Sequence, residues 1–264
     1  MFKVSYFVDT HCHLNSEDYN EDLDEVIERA KSQGLARMLV VAADVPNSRQ
    51  AVELAEKYAS YGIYATVGVH PHEASTIVDG IPEELFLLAQ HPRVLAIGES
   101  GLDYYYDHSP REIQKQSLLW HIELAEKAKK PLVLHIRDAF DDLFDILKEN
   151  DKRQYHGVIH CFSGNSYHAK YALELGFYLS FAGPVTYKKN QELRDIVASM
   201  PLNRLLCETD APWLAPKRYR GKRNEPAYVT EVYDMVADVR LIDREELKEA
   251  LWNNACSLFR WEEL

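Results

Sequence analysis

Short runs of aliphatic and β-branched residues recur along the whole chain, at 4–8, 38–42, 63–67, 94–97, 132–134, 157–159, 177–181 and 204–207. Between them lie segments with apolar residues at helical spacing, such as Leu23, Val26, Ile27 and Ala30, or Ile113, Leu118, Ile122, Ala125 and Ala128. Parallel strands need helical crossovers, and eight strand–helix repeats suit a closed barrel better than an open sheet. The expectation is an α/β chain folded as a (β/α)8 TIM barrel, one domain over residues 1–264. Pro82, Pro110 and Pro226 fall where helices can start, and Gly34 and Gly176 where they can end. With 46% hydrophobic and 27% charged residues, no tract is poor enough in apolar residues to read as disordered.

A formal net charge of -12 argues against a protein that coats nucleic acid by bulk electrostatics, which rests on phosphate neutralisation by Lys and Arg. It does not exclude an enzyme that meets nucleic acid through a local basic segment. No run of about 18 apolar residues and no leader followed by a cleavage site is read, so neither a membrane span nor export is expected. Cys12, Cys161, Cys207 and Cys256 lie far apart without a CxxC pair. In a reducing cytoplasm neither disulfides nor a cysteine zinc site is expected of them, and Cys161 and Cys207 are read as small buried strand residues rather than as nucleophiles. No obligate protein partner is expected.

In a parallel barrel the site is built where strands meet the following loops. The polar residues at those ends are selective: His11 and His13 after strand 1, Glu99 after strand 4, His135 after strand 5, His160 after strand 6, and Glu208 and Asp210 after strand 8. Strand 3 leads into His70 and His72. Residues two apart in extended chain point the same way, so His11 and His13 converge while Cys12 points elsewhere. Imidazole suits zinc, nickel, iron or manganese, and the carboxylates extend the range to magnesium. A lone strand-end histidine is usually structural, and Glu-Thr-Asp after a strand can cap a helix. The barrel aims all of these groups into one mouth, which favours a hydrolytic metal site that still holds water.

After strand 8, Lys217, Arg218, Arg220, Lys222 and Arg223 crowd one short loop of an acidic chain. A solvated charge run is the bland reading. Phosphate binding is the sharper one, because loops after strands 7 and 8 often hold phosphate in barrels. Tyr104, Tyr105, Tyr106 and Trp213, near the same mouth, are either packing residues or surfaces for stacked bases.

The segments FVDTHCHL, VGVHPH, AIGESGLDYYY, LHIRDA, IHCFSG, ETDAPWLAP and RGKRNEPAYV closely resemble, in order and spacing, the TatD family of metal-dependent hydrolases in the amidohydrolase-like superfamily. The resemblance implies a TIM-barrel enzyme with one or two divalent ions (magnesium, manganese or zinc) and 3′ to 5′ exonuclease action on DNA. It implies His11, His13 and Asp210 as ligands of one ion, His135 and His160 as ligands of a second, and Glu99 between them. Tyr106 and Ser100 depart from the usual residues beside Glu99, which bears on substrate preference rather than on metal binding.

On that footing Asp210 and Glu99 are the expected catalytic carboxylates, Asp210 as general base and Glu99 as the bridge between ions. His70, Arg137, Arg220, Arg223 and Asn224 are expected to orient the phosphate, and Glu208 to support the ligand shell. The alternative enzyme is an acyl or ester hydrolase, such as a D-aminoacyl-tRNA deacylase with aminoacyl-tRNA as partner. The non-enzyme alternative is a metal-loaded nucleic-acid-binding module.

Overall fold

The computed structural model describes residues 6–150 and 155–261. Eight parallel strands follow one another in sheet order as in sequence: β1 Phe7–Cys12, β2 Leu35–Val40, β3 Ile63–Val67, β4 Val94–Asp103, β5 Leu132–Arg137, β6 Gly157–Ile159, β7 Tyr178–Phe181 and β8 Leu205–Cys207. The helices are α1 Leu23–Ser32, α2 Val45–Lys57, α3 Glu83–Ala89, α4 Arg111–Ala128, α5 Phe140–Glu149, α6 Ser166–Glu174, α7 Gln191–Ser199, α8 Val229–Arg240 and α9 Arg244–Phe259. The expected (β/α)8 barrel is the fold. Pro82 and Pro110 cap α3 and α4, and Gly34 and Gly176, both at positive φ, follow α1 and α6.

Closure joins the end of β1 to the segment after β8. Cys12 bridges Ala211 in parallel, His13 N–H donates to Ala211 O (2.7 Å), and Asp210 N–H donates to His11 O (2.9 Å). Below this seam, Val8, Leu39, Ala96, Val133, Val158 and Leu206, from six strands, pack with Leu258, Phe259 and Trp261 at the end of α9. His156, just ahead of β6, donates from Nε2 to Leu258 O at 3.0 Å, so α9 covers the end of the barrel where strands begin. The opposite mouth is left for the loops.

Two strands reproduce their expected bounds, 63–67 and 157–159, and four differ enough to matter. β1 runs from 7 to 12, with Val4 and Ser5 outside the described residues, so His11 lies inside the strand rather than after it. β2 starts three residues earlier than expected, at Leu35. β4 continues six residues past Ile97 to Asp103, and β5 three past Leu134 to Arg137. An apolar run ends where polar residues begin, whereas the ladder continues as long as backbone groups find partners. Gly101 permits this extension: at φ +145° it lies where a Cβ would meet His135 O at 2.0 Å, so β4 and β5 can run together beside the site.

Candidate metal centre

Strand ends bring together the groups that the apolar runs had isolated. His11 and Glu99 sit in β1 and β4, His135 in β5, His13 and His160 one residue past β1 and β6, and Asp210 beyond β8. Glu99 is central. Its Oε2 lies 3.3 Å from His11 Nε2 and 3.7 Å from His13 Nε2, and Asp210 Oδ1 lies 3.7 and 3.5 Å from the same nitrogens. Its Oε1 lies 2.7 Å from His160 Nε2 and 3.0 Å from His135 Nδ1. Each oxygen of one buried carboxylate therefore faces its own group of donors.

Partners behind the rings fix which nitrogen is free. His13 Nδ1–H donates to Val41 O (3.0 Å), leaving the Nε2 lone pair toward the centre. His160 Nδ1–H donates to Glu208 Oε1 (3.2 Å), which also accepts Cys161 N–H (2.6 Å). Glu208 thus stands behind the His160 ring. His135 Nε2–H donates to Asp103 Oδ2 (3.0 Å), freeing Nδ1 toward Glu99. His70 is the reverse case: its Nδ1 accepts His72 N–H (3.1 Å), so the neutral ring carries its proton on Nε2, 3.6 Å from Glu99 Oε1. That proton makes His70 a hydrogen-bond donor toward the site rather than a ligand.

Burial pushes the Glu99 carboxyl up, but the surrounding imidazole cluster of His160, His11 and His70 outweighs it and holds the carboxyl well below the ordinary carboxylate range. Burial likewise raises Asp210, and the neighbouring imidazoles of His13, His160 and His11 outweigh it and bring it below its ordinary value. Buried anions need compensating positive charge. Two overlapping sets, His11/His13/Glu99 and His11/His160/Asp210, have ligand atoms within 4.8 Å of one another, and His70, Glu99 and His135 form a third cluster as tight, to which His70 brings an N–H. Imidazole nitrogen with carboxylate oxygen is a donor set for zinc, manganese or magnesium, so the residues present fit one or two divalent ions. Cys161 and Asp210, beside the ligands, hold φ of +41° and +56°, strain typical of functional positions.

Two residues escaped the sequence reading in their roles. Asp103 Oδ2 receives both His135 and His72 (2.9 Å), while Oδ1 accepts the N–H groups of Tyr105 and Tyr106, both at 3.0 Å. The signal for it was the spacing Glu99, Gly101, Asp103, which shares a face of an extended strand. Asp9, fully buried, accepts Thr209 Oγ1–H (2.5 Å), Thr209 N–H (3.0 Å) and His11 N–H (3.2 Å). Burial pushes its carboxyl up to about 8 despite those donors.

The phosphate candidates divide. Arg137, two residues past His135, lies 4.0 Å over the Tyr105 ring and 5.0 Å over Tyr106, with no carboxylate partner among the described residues. Arg220 stands exposed over Tyr187 (5.1 Å), equally unpaired among them. Arg223 is engaged elsewhere, bidentate to Asp22 (2.8 and 2.6 Å) and bonded to Asp18 O. Asn224 is buried and donates from Nδ2 to Thr209 O (2.8 Å) and Trp213 O (2.6 Å). Both brace the loop, correcting the expectation that they face substrate. Arg218 pairs with Glu231 (3.0 Å), so the basic run is partly consumed by ion pairs.

Imidazoles and carboxylates converging at the strand ends of a (β/α)8 barrel define the class of metal-dependent barrel hydrolases. Comparison with known proteins narrows that class. Residues 8–260 match the family model described as TatD related DNase. The chain is 43% identical over 252 residues to the uncharacterized metal-dependent hydrolase YabD of Bacillus subtilis, covering 96% of this chain and 98% of that one. It is 35% identical over 256 residues to the 3'-5' ssDNA/RNA exonuclease TatD of Klebsiella pneumoniae, covering 95% and 97%. The crystal structure of the TatD homolog YJJV from Escherichia coli superposes with a TM-score of 0.86 at 31% identity, covering 97% and 98%. The chain belongs to the TatD family of metal-dependent hydrolases. No described helix is long and apolar enough to cross a membrane.

Proposed function

We propose that this chain is a cytoplasmic nuclease that hydrolyses phosphodiester bonds of DNA from the 3′ end. The observation that carries the reading is Arg137: a guanidinium without a carboxylate partner among the described residues, stacked on tyrosines and two residues from His135, offers its N–H groups beside the ligand cluster. A guanidinium matches two phosphate oxygens at once, which an ester or amide carbonyl does not use. When bound, a divalent ion supplies Lewis acidity toward a phosphoryl oxygen and toward water. Glu99 holds the two donor groups in register by sharing its oxygens between them. Asp210 accepts the proton of the attacking water as general base, since the surrounding imidazoles keep its carboxyl below the ordinary value and so ionised. His70 donates its Nε2 proton to a phosphate oxygen, and Arg137 and Arg220 orient the strand. The 3′ polarity is supported by the relative from Klebsiella pneumoniae, whose name specifies a 3'-5' exonuclease on single-stranded DNA and RNA.

The test is release of mononucleotides from a 5′-labelled single-stranded oligodeoxynucleotide. Metal-stripped protein is reloaded in turn with magnesium, manganese and zinc, beside Glu99→Gln. Shortening from the 3′ end that depends on metal and vanishes in the variant is expected. No release by folded, metal-loaded protein would overturn the nuclease reading, and turnover of an aminoacyl ester by the same protein would replace it.

A further inference from the structure

Nine large hydrophobic side chains stand exposed among the described residues, and four of them, Tyr105, Tyr106, Trp213 and Leu214, belong to the loops that follow β4 and β8 beside the metal centre. They are not loose. Trp213 is 52% exposed, yet its ring rests on the imidazole of His13 at 4.9 Å and 62°. Its N–H donates to Asp210 O (2.9 Å), and its carbonyl accepts the buried Asn224 amide. On the other side, Tyr105 and Tyr106 are 59% and 51% exposed, with both N–H groups tied to Asp103. Tyr106 lies 5.5 Å from the His72 ring, and Arg137 covers one face of Tyr105. Core packing does not explain aromatic rings whose backbone is pinned by buried polar groups while half their surface faces water.

The two aromatic surfaces bracket the ligands. Trp213 touches the His11/His13/Asp210 group, and the tyrosines adjoin the group around Glu99, His135 and Asp103. We infer that Trp213 stacks the nucleobase on one side of the scissile phosphate and the Tyr105–Tyr106 pair stacks the base on the other. The inference rests on the phosphodiester reading above and names what that site selects: a strand whose bases are unpaired and splayed, irrespective of sequence. Every base offers a π-face, so such stacking tolerates any sequence, whereas bases inside a duplex already stack on one another. Asn224 acts here as a positioning residue for Trp213, and Asp103 for the tyrosines.

The experiment compares kcat/KM on a single-stranded oligodeoxynucleotide with kcat/KM on the same strand carrying abasic residues on both sides of the first scissile phosphate. Methyl 4-nitrophenyl phosphate serves as a diester without bases. The metal-loaded protein should prefer the base-bearing strand by roughly 5- to 100-fold. That ratio should collapse toward one in Trp213→Ala and in the double variant Tyr105→Ala/Tyr106→Ala, and be kept in Trp213→Phe and Tyr105→Phe/Tyr106→Phe. Oligonucleotide binding should quench tryptophan fluorescence in the parent and not in Trp213→Phe. Equal use of both strands by the parent, or an unchanged ratio in the alanine variants, overturns the stacking assignment while cleavage of the small diester keeps the hydrolase. Failure to cleave either diester or strand overturns the phosphodiester reading, and this inference with it.

Discussion

Replacing Asp103 by Asn tests whether the back of the site sets metal affinity. Asp103 accepts four hydrogen bonds, two from backbone N–H groups at Oδ1 and two from the Nε2 atoms of His135 and His72 at Oδ2. An asparagine keeps its carbonyl toward the Tyr105 and Tyr106 N–H groups and so turns its NH2 toward two ring N–H donors. The conflict is relieved when His135 moves its proton to Nδ1, the atom 3.0 Å from Glu99 Oε1, and the lone pair aimed at the centre is lost. Losing such a partner behind a ligand costs about 10- to 100-fold in metal affinity. At about 1.36 kcal/mol per decade that is roughly 1.4–2.7 kcal/mol. A hydrogen bond to a charged group contributes about 1.5–3 kcal/mol, which agrees. The assay is calorimetric titration of metal-stripped protein with zinc and manganese, with the folded fraction checked by circular dichroism. The variant should weaken binding by this amount, and the loss should vanish when His135 is already replaced. An unchanged isotherm, or the same additional loss in a His135→Ala background, would refute the tautomer argument.

Arg137→Ala should lower kcat/KM on an oligonucleotide by roughly 10- to 100-fold, the worth of a charge-assisted hydrogen bond. Arg223→Ala should leave that constant unchanged and cost about 1 kcal/mol in urea unfolding, because its pairing with Asp22 is half-exposed and structural; a drop in turnover would return Arg223 to the substrate. His121 is buried, accepts Val69 N–H at Nε2 and donates to Ser117 O, and burial lowers its pKa from 6.5 to about 4. The folded state then binds fewer protons than the unfolded one, so this contribution is full above pH 6.5 and is lost as the pH falls toward 4, about 3 kcal/mol in total. His121→Gln should flatten stability against pH across that window by up to about 1.4 kcal/mol per pH unit, measured by urea unfolding of metal-stripped protein. Gly101→Ala should destabilise by more than about 3 kcal/mol or prevent folding, because its Cβ would lie 2.0 Å from His135 O; a variant with near-parental Tm would contradict the backbone contact.

Strands flanked by turn residues on both sides, such as β3 and β6, were legible to the residue because apolar runs and ladders coincide there. The same contrast exposed His11, His13, Glu99, His135, His160 and Asp210, since polar groups at the ends of apolar strands have few structural uses. Asp103 is hidden because the apolar run of β4 ends at Ile97 while the ladder continues, and its carboxylate acts through His135 rather than on the mouth itself. Arg223 and Asn224 were misplaced for a different reason. A charge run in a loop declares its sign but not its partner, and the partner of Arg223 is Asp22, 201 positions away. His70 shows the limit of residue type alone: only the N–H of His72 reveals that its proton faces the site.

The seam that closes the barrel is also the seam of the metal centre. Asp210 N–H reaches His11 O, His13 N–H reaches Ala211 O, and Asp9 binds Thr209 by main chain and side chain alike. The imidazoles of His11 and His13 and the Asp210 carboxylate that faces them are therefore split between residues 11–13 and residue 210, some two hundred positions later in synthesis. A growing chain carries His11 and His13 long before the acid that completes them, and it cannot close the ladder that orients them. Assembly of the ligand cluster is thereby tied to chain completion: a polypeptide that ends before Asp210 lacks both the acid and the backbone partners that orient His11 and His13.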